Sequence, residues 1–165
     1  MAIALKLREY LDDRAISYEV LAHRRTTTSS STAEASHISS DSLAKAVLLK
    51  GNGSYLLAVV PASCVVQIDK VSGLLDCSVG LATETDIQAV FADCEPGAVP
   101  PLGSAYGLET VIDERLERPA DIYLEAGDHK SLIHLTQQQF NGLTWDAFRG
   151  QIAKPCHPAS GNAQA

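Results

Sequence analysis

Two spacings of apolar residues alternate along the chain. Ile3, Leu7, Tyr10 and Leu11 recur at helical intervals and predict an opening amphipathic helix that ends near Asp13. Residues 17–22 then read as a strand, with Tyr18 and Val20 on one face. From Thr26 to Thr32 every residue is Thr or Ser, which predicts a surface loop, and Ser31 with Glu34 has capping-box spacing for a short helix from Thr32 to His37. Two apolar runs, residues 44–49 and 55–60, flank Gly51-Asn52-Gly53-Ser54 and predict a β-hairpin. Asp69 is placed to cap a helix through Leu75, and Thr83 with Asp86 another through Phe91. Residues 107–112, 121–125 and 131–135 are short and strand-like, and Thr136 can cap a closing helix containing Phe140, Trp145 and Phe148. The alternation of strands and helices, with no repeat and no internal linker, predicts one α/β domain over residues 1–150, a mixed β-sheet wrapped by helices. Residues 151–165, with Pro155, Pro158 and Gly161, read as a disordered tail.

Composition narrows the function. A chain of 165 residues with 45% apolar and 20% charged residues can bury a core without staples. No apolar run approaches the ~18 residues of a membrane span, and the first residues have no secretory pattern, so a cytoplasmic protein that does not engage membranes is expected. Cys64, Cys77, Cys94 and Cys156 are widely spaced and are expected to be reduced thiols. The net charge of −7 argues against broad binding of a duplex, although a small patch from His23-Arg24-Arg25 and from Lys45 with Lys50 could grip one nucleic-acid end.

Two features carry candidate chemistry. Glu95-Pro96-Gly97-Ala98-Val99-Pro100-Pro101-Leu102-Gly103 can continue neither a helix nor a central strand, so it predicts a stiff loop whose few N–H groups can point at a ligand. Lys45 is a lone charge within Leu43-Ala44-Lys45-Ala46-Val47-Leu48-Leu49, on one strand face with Val47 and Leu49. It must pair, snorkel or line a cleft, where it would offer charge to a phosphate or an oxyanion. The odd interval between His129 and His134 argues against a shared metal, and no cofactor motif is present. Cys94 is expected to be a structural cysteine, not a nucleophile.

Lys45 on the first apolar strand, the Gly-x-x-x-Pro loop from Gly97 to Pro101, and Gly127-Asp128-His129 before a late strand occur in an order that resembles the YbaK/prolyl-tRNA synthetase-associated editing-domain family. The similarity spans residues 2–140. It implies a free-standing, trans-acting hydrolase for the ester of a mischarged small amino acid on tRNA, without metal, cofactor or covalent nucleophile. The implied catalytic groups are Lys45, Gly97 and Ala98. Val99, Pro100, Pro101, Gly103, His129 and Arg24 would bind substrate, and the tRNA 3′ end and an aminoacyl-tRNA synthetase would be the partners. A non-catalytic binding module and a synthetase-interacting scaffold remain open alternatives.

Overall fold

The computed structural model describes residues 3–156. The opening helix is α1 (Leu5–Asp13), followed by β1 (Glu19–Ala22) and α2 (Ser29–Ser36). The hairpin is β2 (Leu43–Gly51) and β3 (Ser54–Pro61), then come β4 (Cys64–Val66), α3 (Ile68–Leu75), β5 (Gly80–Leu81) and α4 (Glu84–Val90). The second half contains β6 (Glu109–Asp113), β7 (Asp121–Glu125), β8 (Ser131–Thr136), α5 (Gln137–Leu143), β9 (Phe148–Gly150) and β10 (Ala153–Pro155). Short 3₁₀ turns cover Gly103–Tyr106 and Glu114–Glu117.

The main sheet runs β1-β8-β7-β2-β3-β6-β9, with β5 also on β2, while β10 and β4 form a separate pair. Parallel pairing joins β2 to β7, β3 to β6 and β6 to β9, and the other pairs are antiparallel, so the sheet is mixed. Asn52 and Gly53 both have positive φ, 53° and 75°, which is what a two-residue hairpin turn requires. Apolar residues of α1, α4 and α5 fill one core with Ala44, Leu48 and Leu57. On the opposite side α3 packs with Leu49, Leu56 and Val60, and α2 packs through Ala33 against Leu43 and Leu132. Each fully buried Leu or Ile in these cores contributes about 1.5–3 kcal/mol relative to exposure.

Several local expectations are corrected. The second helix starts three residues earlier than predicted, because Thr28, not Ser31, caps it by accepting from Ser31 N–H. Thr26 and Thr32, expected on a surface loop, are buried, their hydroxyls 2.6 Å apart and so mutually satisfied. Gln67 precedes α3 as its N-cap, and Asp69 sits in the first turn without a capping bond. The closing helix ends at Leu143. Trp145 is exposed beyond it, and Phe148 opens β9 beside β6. Within the segment expected as a tail, β10 pairs with β4; residues 157–165 lie outside the described residues.

Candidate active site

Strand β2 changes neighbours along one edge. It pairs with β7 only at Leu43 and Ala44, and with β5 only at Leu49 and Lys50. The break between these contacts opens a cleft of about 120 Å³, lined by Lys45 and Ala46 of β2, Glu125 of β7, Gly97 and Val99 of the Pro/Gly loop, Glu84 and Ile87 of α4, and Ser29 of α2. Through Ala46, Ile87 and Val99 it continues into an apolar extension of about 240 Å³ beside Leu48, Leu81 and Ala82. A larger hollow of about 550 Å³ lies elsewhere, lined by residues including Arg14, Glu109 and Phe148, and contains neither Lys45 nor the Pro/Gly loop. The smaller cleft gathers a cation, a buried carboxyl and a bent loop, so it is the candidate site.

Lys45 follows the alternation expected of it. It stands opposite Val60, and its Nζ donates to the Cys64 carbonyl at 2.6 Å. That bond engages one of the three ammonium donors, and Nζ has no second hydrogen-bond partner among the described residues.

The loop is built by a single turn. Ala98 N–H donates to the Glu95 carbonyl at 3.1 Å, with Pro96 and then Gly97, at φ +85°, in the two central positions; this is a type II turn. His129 Nε2 donates to the Pro96 carbonyl, which fixes the Nε2–H tautomer because a carbonyl can only accept. A trans peptide points its C=O and N–H in opposite directions. The Gly97 N–H therefore points away from His129, and among the described residues it has no hydrogen-bond partner. The same packing demands glycine, since a Cβ here would lie 3.2 Å from His129 Cε1. Glu95 N–H to the Gly127 carbonyl (2.9 Å) and Arg25 to the Glu95 carboxylate (2.6 Å) tie the turn to its surroundings.

The site residues suggested by the sequence separate into two groups. Lys45, Gly97 and Val99 meet at the cleft. Ala98 does not, being fully buried with its N–H already committed to the turn. Pro100, Pro101 and Gly103 are buried away from the cleft lining, and a Cβ on Gly103 would collide with Thr110 Oγ1 at 2.1 Å. His129 is 5% exposed and braces the loop from behind. Arg24 is exposed and outside the lining; Arg25 is the arginine bonded to the loop.

Glu125 was not singled out by sequence, where it looks like the charged end of a strand. It is 8% exposed; Oε2 accepts from Thr32 Oγ1 at 3.5 Å, and buried Oε1 has no partner. Burial foremost, and then the charge of Asp128, push its carboxyl up to about 7, against the opposing bond from Thr32. Its signal was one of register: Ala44 pairs with Leu124, so Lys45 and Glu125 are successive positions where β2 and β7 part.

Two neighbouring groups have structural explanations. Asp86 accepts from Tyr55 Oη at 2.6 Å and closes the α4 capping box with Thr83, which fixes the helix that supplies Ile87 and Glu84. The Tyr55 bond leads the effects that lower the Asp86 carboxyl to about 2. Burial pushes the Cys94 thiol up to about 12, so it stays protonated at neutral pH and is a poor nucleophile. Among the described residues no cluster of three or more His, Cys, Asp or Glu is arranged to hold a metal ion.

The model of the aminoacyl-tRNA editing domain matches residues 23–143, most of the chain. The chain belongs to that family. A candidate trans-editing enzyme for prolyl tRNA synthetase has a similar solved structure, with TM-score 0.82 and 20% identity over 93% of this chain and 98% of that one. A hypothetical protein aligns with TM-score 0.80 and 20% identity, covering 90% and 99% of the two chains. A candidate signal transduction protein from Marinobacter aquaeolei VT8 aligns with TM-score 0.72 and 20% identity, over 90% of this chain but 30% of that one. At such identities these likenesses show the fold. No curated protein matches the chain.

Proposed function

We propose that the protein is a trans-acting aminoacyl-tRNA deacylase that hydrolyses the ester of a mischarged small amino acid. The observation that supports this reading best is the convergence of Lys45 and the Gly97 N–H on one cleft, with that N–H turned outward by the His129 bond to Pro96. In the reaction, water attacks the ester carbonyl carbon and the carbonyl oxygen becomes an oxyanion. The ester C–O bond then breaks, the ribose oxygen recovers a proton, and the free amino acid departs. The Gly97 N–H is the donor to the oxyanion, and such a donor is worth about 10²–10³ in kcat. The two remaining Lys45 donors hold the anionic 3′ end of the tRNA. The terminal ribose hydroxyl can orient the water, so no side-chain nucleophile is needed, in keeping with the protonated Cys94.

The test is a panel of correctly charged and mischarged tRNAs with the purified protein. Release of amino acid from a mischarged member, and not from its correct counterpart, supports the reading. Tight binding without turnover replaces the enzyme with a binding module. Absence of both leaves the scaffold, with a synthetase as its partner.

A further inference from the structure

One main-chain segment inside the cleft has the form of an unfilled strand position. The Ala62 N–H donates to the Leu43 carbonyl at 2.8 Å, so Leu43 presents its carbonyl on the β3 side of β2. In an antiparallel pair the main-chain groups of successive residues point to alternate edges. Lys45 and Val47 therefore face β3, while Ala44, Ala46 and Leu48 face the other edge. The bond from Ala82 N–H to the Leu48 carbonyl, 3.1 Å, agrees with that assignment. On this second edge β7 reaches only Ala44 and β5 begins at Leu49. Ala46 lies in the break, and among the described residues neither its N–H nor its C=O has a backbone partner there.

We infer that Ala46 pairs with the aminoacyl group as one strand residue pairs with another: its N–H donates to the ester carbonyl oxygen and its C=O accepts from the α-ammonium. The inference rests on the deacylase reading and adds a second wall to it. A hydrogen-bonded antiparallel pair exchanges one N–H···O bond in each direction, and an aminoacyl ester carries a donor and an acceptor on either side of its α-carbon, as that exchange requires. Directly paired residues also project their side chains to the same face. The substrate side chain then lies beside the Ala46 methyl, toward Ile87 and Val99 and the apolar extension. As water adds to the carbonyl carbon, the carbonyl oxygen gains its charge between two N–H groups, Ala46 from the strand and Gly97 from the turn. The ester C–O bond then breaks, and its electron pair and a proton pass to the ribose oxygen.

The prediction can be tested because the Ala46 N–H takes no part in the sheet. Proline at this position removes the donor without breaking a ladder bond. Ala46→Pro is expected to retain the wild-type unfolding temperature within a few degrees and to lose 10²- to 10³-fold in kcat. A folded Ala46→Pro protein with wild-type kcat overturns the inference. If this variant does not fold, replacing Ala46 by the corresponding α-hydroxy acid removes the same N–H with little change of shape, and its kcat decides by the same criterion. A second readout needs no turnover. Titration with a 3′-aminoacylamino adenosine, in which an amide replaces the ester, should shift the Ala46 amide ¹⁵N–H resonance and slow its hydrogen exchange; an unmoved Ala46 resonance at saturation overturns the pairing. A wild type that hydrolyses no charged tRNA would sink the deacylase reading, while this titration still judges the pairing separately.

Discussion

His129 donates its Nε2–H to the carbonyl of Pro96, and so determines the direction of the next N–H in the chain, that of Gly97. The histidine acts on the cleft through a peptide plane that it holds from the opposite side. Its own backbone is held in the left-handed region, φ +60°, with its carbonyl accepting from Thr26 N–H at 3.2 Å.

His129→Ala should therefore leave binding of the tRNA end nearly unchanged and lower kcat by about tenfold to a hundredfold, part of the effect of losing one oxyanion donor. It should also cost roughly 1 kcal/mol of stability, because the hydrogen bond to the Pro96 carbonyl is lost. His129→Gln, which offers an N–H at similar reach, should restore kcat. Steady-state kinetics and thermal unfolding of the three proteins check this. An effect confined to KM would assign His129 to substrate contact instead.

Gly97 and Cys94 make an opposed pair. Gly97→Ala forces a side chain into φ +85° and toward His129, a strain of about 1–3 kcal/mol, and should reduce kcat at least tenfold by displacing the turn. Cys94→Ala should keep kcat within about twofold, because its protonated thiol touches Tyr106 and Asp93 and does not line the cleft. Rates for the two variants, each with a folding control, decide the matter. An inactive but folded Cys94→Ala protein would point to thiol chemistry.

The fold was legible where local chemistry and periodicity agreed. The Asn52-Gly53 hairpin, the Thr83/Asp86 box and the Thr136 cap each depend on neighbours within four residues, and each appears where expected. Strands β4, β5, β9 and β10 are two or three residues long and owe their existence to distant partners, so no period announced them. The site divides in the same way. Lys45 and the Gly97 turn stood out as a charge in an apolar run and a Pro-Gly pair. Ala98 was expected among the catalytic groups and His129 among those that bind substrate, while in the fold the Ala98 N–H closes the turn and the His129 ring holds the Pro96 carbonyl. Glu125 and the Ala46 main chain depend on where β7 leaves β2, a property of strand register that the sequence does not display.

Lys45→Ala should fold, since it removes one partly buried hydrogen bond to the Cys64 carbonyl, worth on the order of 1 kcal/mol. Deacylation should fall by about 10²-fold or more through loss of the one lysine that lines the cleft among the described residues. Lys45→Arg should recover little, because the guanidinium fork does not reproduce the compact ammonium at the Cys64 carbonyl. Raising salt should weaken tRNA binding gently, with a log–log slope of about −0.7 per phosphate contact and one to three contacts in all. The slope for Lys45→Ala should be shallower by about one contact. A fully active Lys45→Ala protein would remove lysine from the mechanism.

Glu125 gives the fold a pH dependence of definite sign. Its folded-state carboxyl titrates near 7, above its ordinary value of 4.5, so its proton is held more tightly in the folded protein. The associated stability is fully present below about pH 4.5 and is lost as pH rises through 7, on the order of 3 kcal/mol in total. His134 slopes the same way: bonds from its ring to Asp121 and Glu19 raise its pKa, and its contribution also fades as pH rises through that folded value. The two are separated by substitution. Glu125→Gln keeps the shape and the contact with Thr32 but cannot ionise, so its unfolding temperature should exceed that of the wild type at pH 8 and converge with it near pH 5. His134→Ala should instead lower stability chiefly at acidic pH and leave the alkaline limb unchanged. Thermal unfolding of the three proteins from pH 4.5 to 9 distinguishes them, and an unchanged alkaline limb in Glu125→Gln would show that this carboxyl ionises without penalty in the folded protein.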